Sequence, residues 1–158
     1  MGITVTTEKQ FESDIEAFLI SAEGGYTKGN GTYNPKLGLY PDKLISFIQR
    51  TQPREWAAFE RQNDIDPVRK FCVAFHNACD MDGVLHVLRN GFKHRGTTFK
   101  VCYFKPESAL NDTAGIQYAE NEVECYRQWY YSADTKKSVD MVLVVNGIPV
   151  FAFELKNQ

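Results

Sequence analysis

Residues 138–156, SVDMVLVVNGIPVFAFELK, decide the fold class that the sequence predicts. Two apolar runs flank the Asn-Gly dipeptide at 146–147, which is the strongest short-range indication of a β-hairpin. Strands that are apolar on both faces are normally covered on both sides, so an unpaired charge within them is costly to bury. Three charged residues nevertheless interrupt these runs: Asp140, Glu154 and Lys156. They require partners, a metal ion or a chemical role.

The length of the turn decides whether Asp140 meets Glu154. Glu154 and Lys156 are two residues apart and therefore share a face of their strand. A strict two-residue turn would pair Asp140 with Phe153 and point Glu154 to the other side of the sheet. A turn of three or five residues would instead place Asp140 directly opposite Glu154. Because Pro149 cannot donate a ladder hydrogen bond, the sequence favours the odd turn and the convergence of the two carboxylates.

Two carboxylates that converge from neighbouring strands form a hard oxygen site of the kind that Mg²⁺ or Mn²⁺ accepts. A lysine beside them can orient a water molecule and offset the charge that develops on a phosphorane. Phosphodiester hydrolysis fits these residues better than acyl transfer, because no Ser or Cys with a nearby base presents itself. The spacing alone leaves an alternative open, in which Asp140 caps its strand and Glu154 pairs with Lys156 in a salt bridge.

The composition is that of one soluble globular domain over residues 1–158, with 43% apolar residues and a formal net charge of -2. No apolar run approaches the roughly 20 residues of a membrane span. The N-terminus lacks the pattern of a signal peptide. The four widely spaced cysteines are expected to be reduced thiols in a cytoplasmic protein. The near-neutral charge means that nucleic-acid binding must depend on local charge.

Helices are predicted to occupy about residues 8–90 and a sheet about 97–156. Thr7 and Gln10 form a capping-box pattern, and apolar residues then recur at helical spacing to about residue 20. Further helices are predicted at 40–50, 53–64, 66–79 and 84–89. Strands are predicted at 97–104 and 122–131 besides the hairpin, with a solvated loop over 107–124. The fold class is therefore α/β (α+β), with a mixed, mostly antiparallel sheet flanked by helices.

The segment SVDMVLVVNGIPVFAFELKNQ resembles the nuclease motif in the N-terminal domain of the restriction (R) subunit of type I restriction–modification enzymes, a branch of the PD-(D/E)xK nucleases. The segments VLRNGFKHRGTTFKVCYFKPES and NEVECYRQWYYS resemble the same domain, so the likeness covers roughly residues 84–158. The N-terminal helix matches more weakly. The resemblance implies a restriction-endonuclease-like core with Asp140 and Glu154 as metal ligands, Lys156 as the catalytic lysine, and Mg²⁺, replaceable by Mn²⁺, as the cofactor.

In the same family, the first helix usually carries a glutamate that approaches the metal site. On a helical wheel Glu12 lies close to the apolar stripe, whereas Glu16 is turned further toward solvent. We therefore predict Glu12 as a further metal ligand. The alternative is an ordinary acidic residue that the helix dipole stabilises.

The resemblance also sets expectations beyond the nuclease motif. It implies that the chain is a fragment of a longer subunit, because the family continues past its E-x-K motif into a helix with a Gln-x-x-x-Tyr element. The sequence contains no G-x-x-x-x-G-K-[ST] motif, so ATP would act only through a motor region elsewhere in the subunit. The implied partners are double-stranded DNA and the methyltransferase and specificity subunits. The alternative function is a non-catalytic DNA-binding or assembly module that retains the nuclease fold.

Local charge suggests one DNA contact. The stretch from Arg89 to Lys105 carries five basic residues and no acidic one. We predict that Lys93 and Arg95 contact phosphate, although a solvated edge explains these charges equally well. Elsewhere, a helical set of possible zinc ligands is better explained as a packed core face: Cys72, His76 and Cys79.

Overall fold

The computed structural model describes residues 7–108 and 110–156. Within them the chain forms six helices and six strands. The helices are α1 (Glu8–Leu19), α2 (Pro41–Thr51), α3 (Pro53–Gln62), α4 (Pro67–Asp82), α5 (Val84–Asn90) and α6 (Asp112–Ala119). The strands are β1 (Thr27–Lys28), β2 (Phe92–His94), β3 (Thr97–Phe99), β4 (Val123–Tyr130), β5 (Ser138–Val145) and β6 (Ile148–Phe153).

The main sheet has the strand order β1-β4-β5-β6. Strand β1 runs parallel to β4, whereas β4, β5 and β6 are antiparallel to their neighbours. The predicted fold class, a mixed and mostly antiparallel sheet flanked by helices, is confirmed. No helix in the described part of the chain is long and apolar enough to cross a membrane.

The predicted strand over 97–104 is wrong in length and does not belong to the main sheet. It ends at Phe99 and pairs only with β2, in a separate two-stranded sheet. Arg95 and Gly96 turn this hairpin with φ values of 47° and 86°, the left-handed backbone that a two-residue hairpin turn requires. After Phe99 the side chain of Gln52 takes the place of a strand partner. It accepts from the Lys100 N–H at 2.8 Å and donates to the Lys100 carbonyl at 2.7 Å.

The region expected to be a solvated loop, 107–124, contains helix α6. Asn111 caps this helix, since its side-chain oxygen accepts from the Ala114 N–H at 3.1 Å. The helix buries none of its residues. Its apolar pattern is weak, which is why periodicity did not reveal it.

Two apolar clusters hold the helices and the hairpin together. The larger is built on aromatic rings, with Phe71 fully buried and in edge contact with its neighbours Trp56, Phe59 and Phe99. The smaller joins Tyr40, at the start of α2, to Val142 and Val144 of β5. It fixes the β5–β6 hairpin to the helical part of the chain.

Candidate active site

The β5–β6 turn contains two residues, Asn146 and Gly147, so the predicted odd turn is wrong. The turn is anchored tightly. The Asn146 side chain donates to the Val101 carbonyl at 3.0 Å and accepts from the Glu122 N–H at 2.8 Å. The Gly147 carbonyl accepts from the Tyr40 N–H at 2.8 Å, and a Cβ at Gly147 would lie 2.6 Å from the Tyr40 carbonyl oxygen. Both residues have the positive φ that a two-residue hairpin turn requires, 50° at Asn146 and 82° at Gly147.

A β-bulge in β6 shifts the register by one residue, the shift that the sequence assigned to an odd turn. Val144 pairs with Pro149 and Leu143 pairs with Phe151, so Val150 is left without a partner. Met141 then pairs with Phe153, the last residue of β6. Continued by one residue, this register places Asp140 opposite Glu154, as the sequence predicts, although by a different device.

The Asp140 carboxylate is half-buried and held in place by the segment after β6. Its Oδ2 accepts a hydrogen bond from the backbone N–H of Leu155 at 2.6 Å. Leu155 lies between Glu154 and Lys156, whose side chains are both exposed. The structure therefore brings Asp140 against the E-x-K segment and leaves the other two polar groups open to solvent.

Among the described residues Lys156 makes no ion pair with Asp140 or Glu154. A salt bridge between Glu154 and Lys156, the structural alternative for this segment, is therefore not seen in the described part of the chain.

Helix α1 buries two of its glutamates, Glu12 and Glu16, rather than its aromatic residues. The capping contact is confirmed, with the Gln10 N–H donating to Thr7 Oγ1 at 3.3 Å. The prediction that Glu16 faces solvent is wrong, because Glu12 and Glu16 are 4% and 9% exposed. Phe11 and Phe18, expected on the buried face, are 48% and 57% exposed.

Arg127 of β4 explains this orientation. Its Nη2 contacts Glu12 Oε2 at 2.7 Å, and its Nη1 contacts Glu16 Oε2 at 3.3 Å. The hydrogen bond that Arg127 donates to Glu12 raises the pKa of Arg127. Sequence reasoning missed Arg127, although a charge inside an aromatic strand is the same signal that identified Asp140.

Glu12 is not brought together with Asp140 and Glu154. Within residues 7–108 and 110–156, no three His, Cys, Asp or Glu side chains are close enough to hold a metal ion. Two carboxylates from adjacent strands still match the oxygen ligands that Mg²⁺ prefers, with water and substrate completing its shell. Asp140 and Glu154 are thus the residues of this site that could hold the ion, and Glu12 lies outside the pair.

The Cys72 helix face belongs to the core. Cys72 is fully buried in the larger cluster, and burial raises the pKa of its thiol to about 12. Cys79 packs against the same cluster, and all four cysteines are free. His76 contacts the Leu37 carbonyl at 3.2 Å. The core interpretation is confirmed for Cys72 and Cys79, whereas His76 is only partly buried and its Nε2 lies 3.4 Å from Asp80 Oδ2.

Lys93 and Arg95 are exposed on the β2–β3 hairpin. They line a groove of about 900 Å³ together with Arg69 and Lys70 of α4, two cations that sequence reasoning did not single out. Arg95 Nη1 donates to the Gln62 carbonyl at 3.3 Å. No hydrogen bond or ion pair in the described part of the chain joins this groove to the site at Asp140.

Searches among curated proteins and among solved structures found no significant match to the chain. A family model does match, over residues 48–158, which is well over half of the sequence and includes Asp140, Glu154 and Lys156. Its description is the N terminus of the type I restriction enzyme R protein. The chain therefore belongs to the family of type I restriction enzyme R protein N-terminal regions, as its motifs predict.

Proposed function

We propose that this chain is the Mg²⁺-dependent endonuclease domain of a type I restriction enzyme R subunit, which cleaves phosphodiester bonds of double-stranded DNA. In this proposal it acts in an ATP-dependent complex with methyltransferase and specificity subunits, and ATP is used by a motor region of the same subunit. The family assignment supports the restriction function. The observation that supports the chemistry is the β6 bulge, because the register after it, continued by one residue beyond Met141 and Phe153, would pair Asp140 with Glu154.

Each residue of the proposed site has a separate task. Asp140 and Glu154 would hold the Mg²⁺ ion, which would supply Lewis-acid polarisation of the phosphate and lower the pKa of a bound water. The Leu155 N–H fixes one oxygen of Asp140, so the carboxylate does not rotate freely. Lys156 keeps an exposed ammonium group on the same short segment. We assign it to orient the attacking water and to stabilise the negative charge that grows on the phosphate oxygens.

The alternative, a non-catalytic module that retains the fold, predicts that Lys156 neutralises both carboxylates directly. The open position of Lys156 in the described part of the chain favours the catalytic role. Glu12 is a supporting carboxylate in this proposal rather than a member of the ion-binding pair.

Titration calorimetry with Mn²⁺ tests the proposed site. We expect the wild-type chain to bind Mn²⁺ and both Asp140→Ala and Glu154→Ala to lose that binding, because each substitution removes half of the protein's ligands. The matched control is Glu23→Ala, which removes an exposed carboxylate in the loop after α1. Circular dichroism verifies that each variant is folded.

Binding of Mn²⁺ that persists in both carboxylate variants would contradict the proposed site. Absence of binding by the folded wild-type chain would favour the non-catalytic alternative.

The groove at Lys93 and Arg95 gives a separate prediction for DNA binding. Reversing both charges, Lys93→Glu with Arg95→Glu, is expected to weaken binding of a DNA duplex by about tenfold or more near 50 mM salt, with a shallower dependence on salt, because phosphate contacts release counterions. The control is Lys36→Glu with Arg54→Glu, which changes the same charge at two exposed residues outside this groove. Fluorescence anisotropy across a salt series measures both. Equal affinities for the two double variants would assign Lys93 and Arg95 to a solvated edge.

A further inference from the structure

An aromatic pocket of about 290 Å³ lies between β4 and the loop after β1. Gly31 of that loop approaches one of its rings closely. The Gly31 N–H donates to the Tyr126 hydroxyl at 2.9 Å, and a Cβ at this position would lie 2.9 Å from the same oxygen. Tyr130 is 57% exposed, so one wall of the pocket is open to solvent. Five rings line the pocket: Tyr33, Tyr40, Tyr126, Trp129 and Tyr130.

The aromatic pocket lies on the face of the main sheet that carries Asp140. Residues two apart on a strand share a face, so Asp140 projects on the same side as Val142 and Val144. These two valines pack with rings of the pocket, including Tyr126. Tyr126 pairs with Val142 in the β4–β5 register, which makes it the diagonal neighbour of Asp140 on that face. The pocket therefore adjoins the proposed cation site.

The backbone of Gln128 brings Trp129 into this pocket. By strand alternation Trp129 would share the face of Arg127, which contacts α1. Gln128 has a φ of 49°, a left-handed conformation inside β4, and the Trp129 ring instead lies 5.0 Å from the Tyr33 ring. A left-handed residue within a strand costs energy and commonly occurs at functional sites. Here the strained residue supplies one aromatic wall.

The polar groups of the pocket favour a planar, uncharged occupant. Trp129 Nε1 is buried and has no hydrogen-bond partner among the described residues, and such an exception in a native structure requires an explanation. The charged side chain that the structure places in the lining is the cation Arg127, which disfavours a cationic ligand. Aromatic faces combined with hydrogen-bonding groups are the means by which proteins hold an unstacked nucleobase.

We infer that the aromatic pocket is a subsite for an unstacked base of the DNA strand that is cleaved. This inference deepens the proposed function and rests on it, because it takes the phosphodiester bond at Asp140 as the scissile one. A base held in the pocket fixes the adjoining backbone beside the cation site. The preferred substrate is therefore a duplex with an unpaired nucleotide, since a fully paired duplex must first lose stacking and pairing of that base.

Fluorescence anisotropy with three duplexes tests the subsite on the full chain, without divalent cations so that no DNA is cleaved. One duplex is fully paired, and one carries a single unpaired thymidine. The third carries an abasic nucleotide at the unpaired position, so that its backbone is equally flexible. We expect wild type to bind the duplex with the unpaired thymidine about tenfold more tightly than either of the others, as is typical of one base stacked on an aromatic side chain.

Three tyrosine variants separate base stacking from a structural effect. Tyr130→Ala removes the exposed wall and should abolish the preference, with affinity for the paired duplex within about twofold of wild type. Tyr130→Phe keeps the ring and should retain the preference. Tyr118→Ala is the matched control, because it removes a tyrosine of α6 that is 44% exposed and does not line the pocket. Circular dichroism verifies the fold of each variant.

Equal wild-type affinities for the thymidine and abasic duplexes would overturn the subsite, as would an equal loss of preference in Tyr130→Ala and Tyr118→Ala. The Mn²⁺ titrations keep this failure apart from failure of the proposed function. Loss of Mn²⁺ binding in Asp140→Ala, together with no base preference in wild type, overturns the subsite alone. Unchanged Mn²⁺ binding in both Asp140→Ala and Glu154→Ala overturns the cation site, and with it the link of the pocket to cleavage.

Discussion

Lys156→Met in the complete restriction complex is expected to lower the rate of DNA cleavage by about 100-fold or more. Methionine preserves much of the side-chain length but removes the ammonium group that we assign to the attacking water and the developing charge. Loss of one such electrostatic contact typically costs a factor of about 10² to 10³. Lys156 is exposed and makes no ion pair within the described residues, so its removal should not unfold the domain.

Single-turnover cleavage of circular DNA, with the complex in excess, measures the rate. ATP hydrolysis in the same reactions serves as an internal control, because the proposed motor is separate from this site. Lys137→Met, at an exposed lysine of the loop before β5, is the matched variant and should cleave like wild type. Normal cleavage by Lys156→Met would remove this lysine from the mechanism and favour the non-catalytic alternative.

The charged residues of the hairpin could be predicted from the sequence because their signal is local. Asp140 and Glu154 interrupt apolar strands, and burial of an unpaired charge is costly wherever the strand lies in the fold. Their relative position needed information that is not local. The two-residue turn is the one that Asn-Gly favours, with φ values of 50° at Asn146 and 82° at Gly147, so the preference for an odd turn drawn from Pro149 is wrong. The register is corrected by a bulge at Val150, which has no clear signature in the hairpin itself.

The orientation of helix α1 could not be predicted from the sequence, for a different reason. Its position follows from the Thr7 cap and the apolar spacing, but its orientation does not. Periodicity places the phenylalanines inward, whereas Arg127 draws Glu12 and Glu16 against the sheet. That ion pair joins residues more than a hundred positions apart. The buried face could be predicted only by knowing which strand the helix packs against.

A contact between distant residues also explains why the strand predicted over 97–104 ends at Phe99. Residues 97–104 have the composition of a strand, and propensity alone continues it past Phe99. The side chain of Gln52, which comes from the α2–α3 junction, satisfies both backbone groups of Lys100 instead. A tertiary contact thus overrides a local preference.

Lys43→Met is expected to destabilise the fold by about 3 to 5 kcal/mol, because it leaves a buried carboxylate without its counterion. Lys43 Nζ lies 2.9 Å from Glu124 Oε1, and the two side chains are 19% and 4% exposed. The pair joins α2 to β4, and the Tyr126 hydroxyl donates to the other Glu124 oxygen at 3.1 Å. Burial raises the pKa of Tyr126, so its hydroxyl stays protonated and keeps donating to Glu124, but this neutral hydrogen bond does not replace the lost positive charge.

Urea unfolding of Lys43→Met and Arg50→Met on the same helix tests how burial sets the value of an ion pair. Arg50 also pairs with two glutamates, but its side chain is 36% exposed and theirs are 41% and 43% exposed. Its loss should cost less than about 1 kcal/mol, because water solvates the partners that remain. Adding Glu124→Leu to Lys43→Met should recover most of the stability, since the unpaired charge is then gone. Equal decreases in the free energy of unfolding for the two single variants would show that burial does not strengthen the Lys43–Glu124 contact.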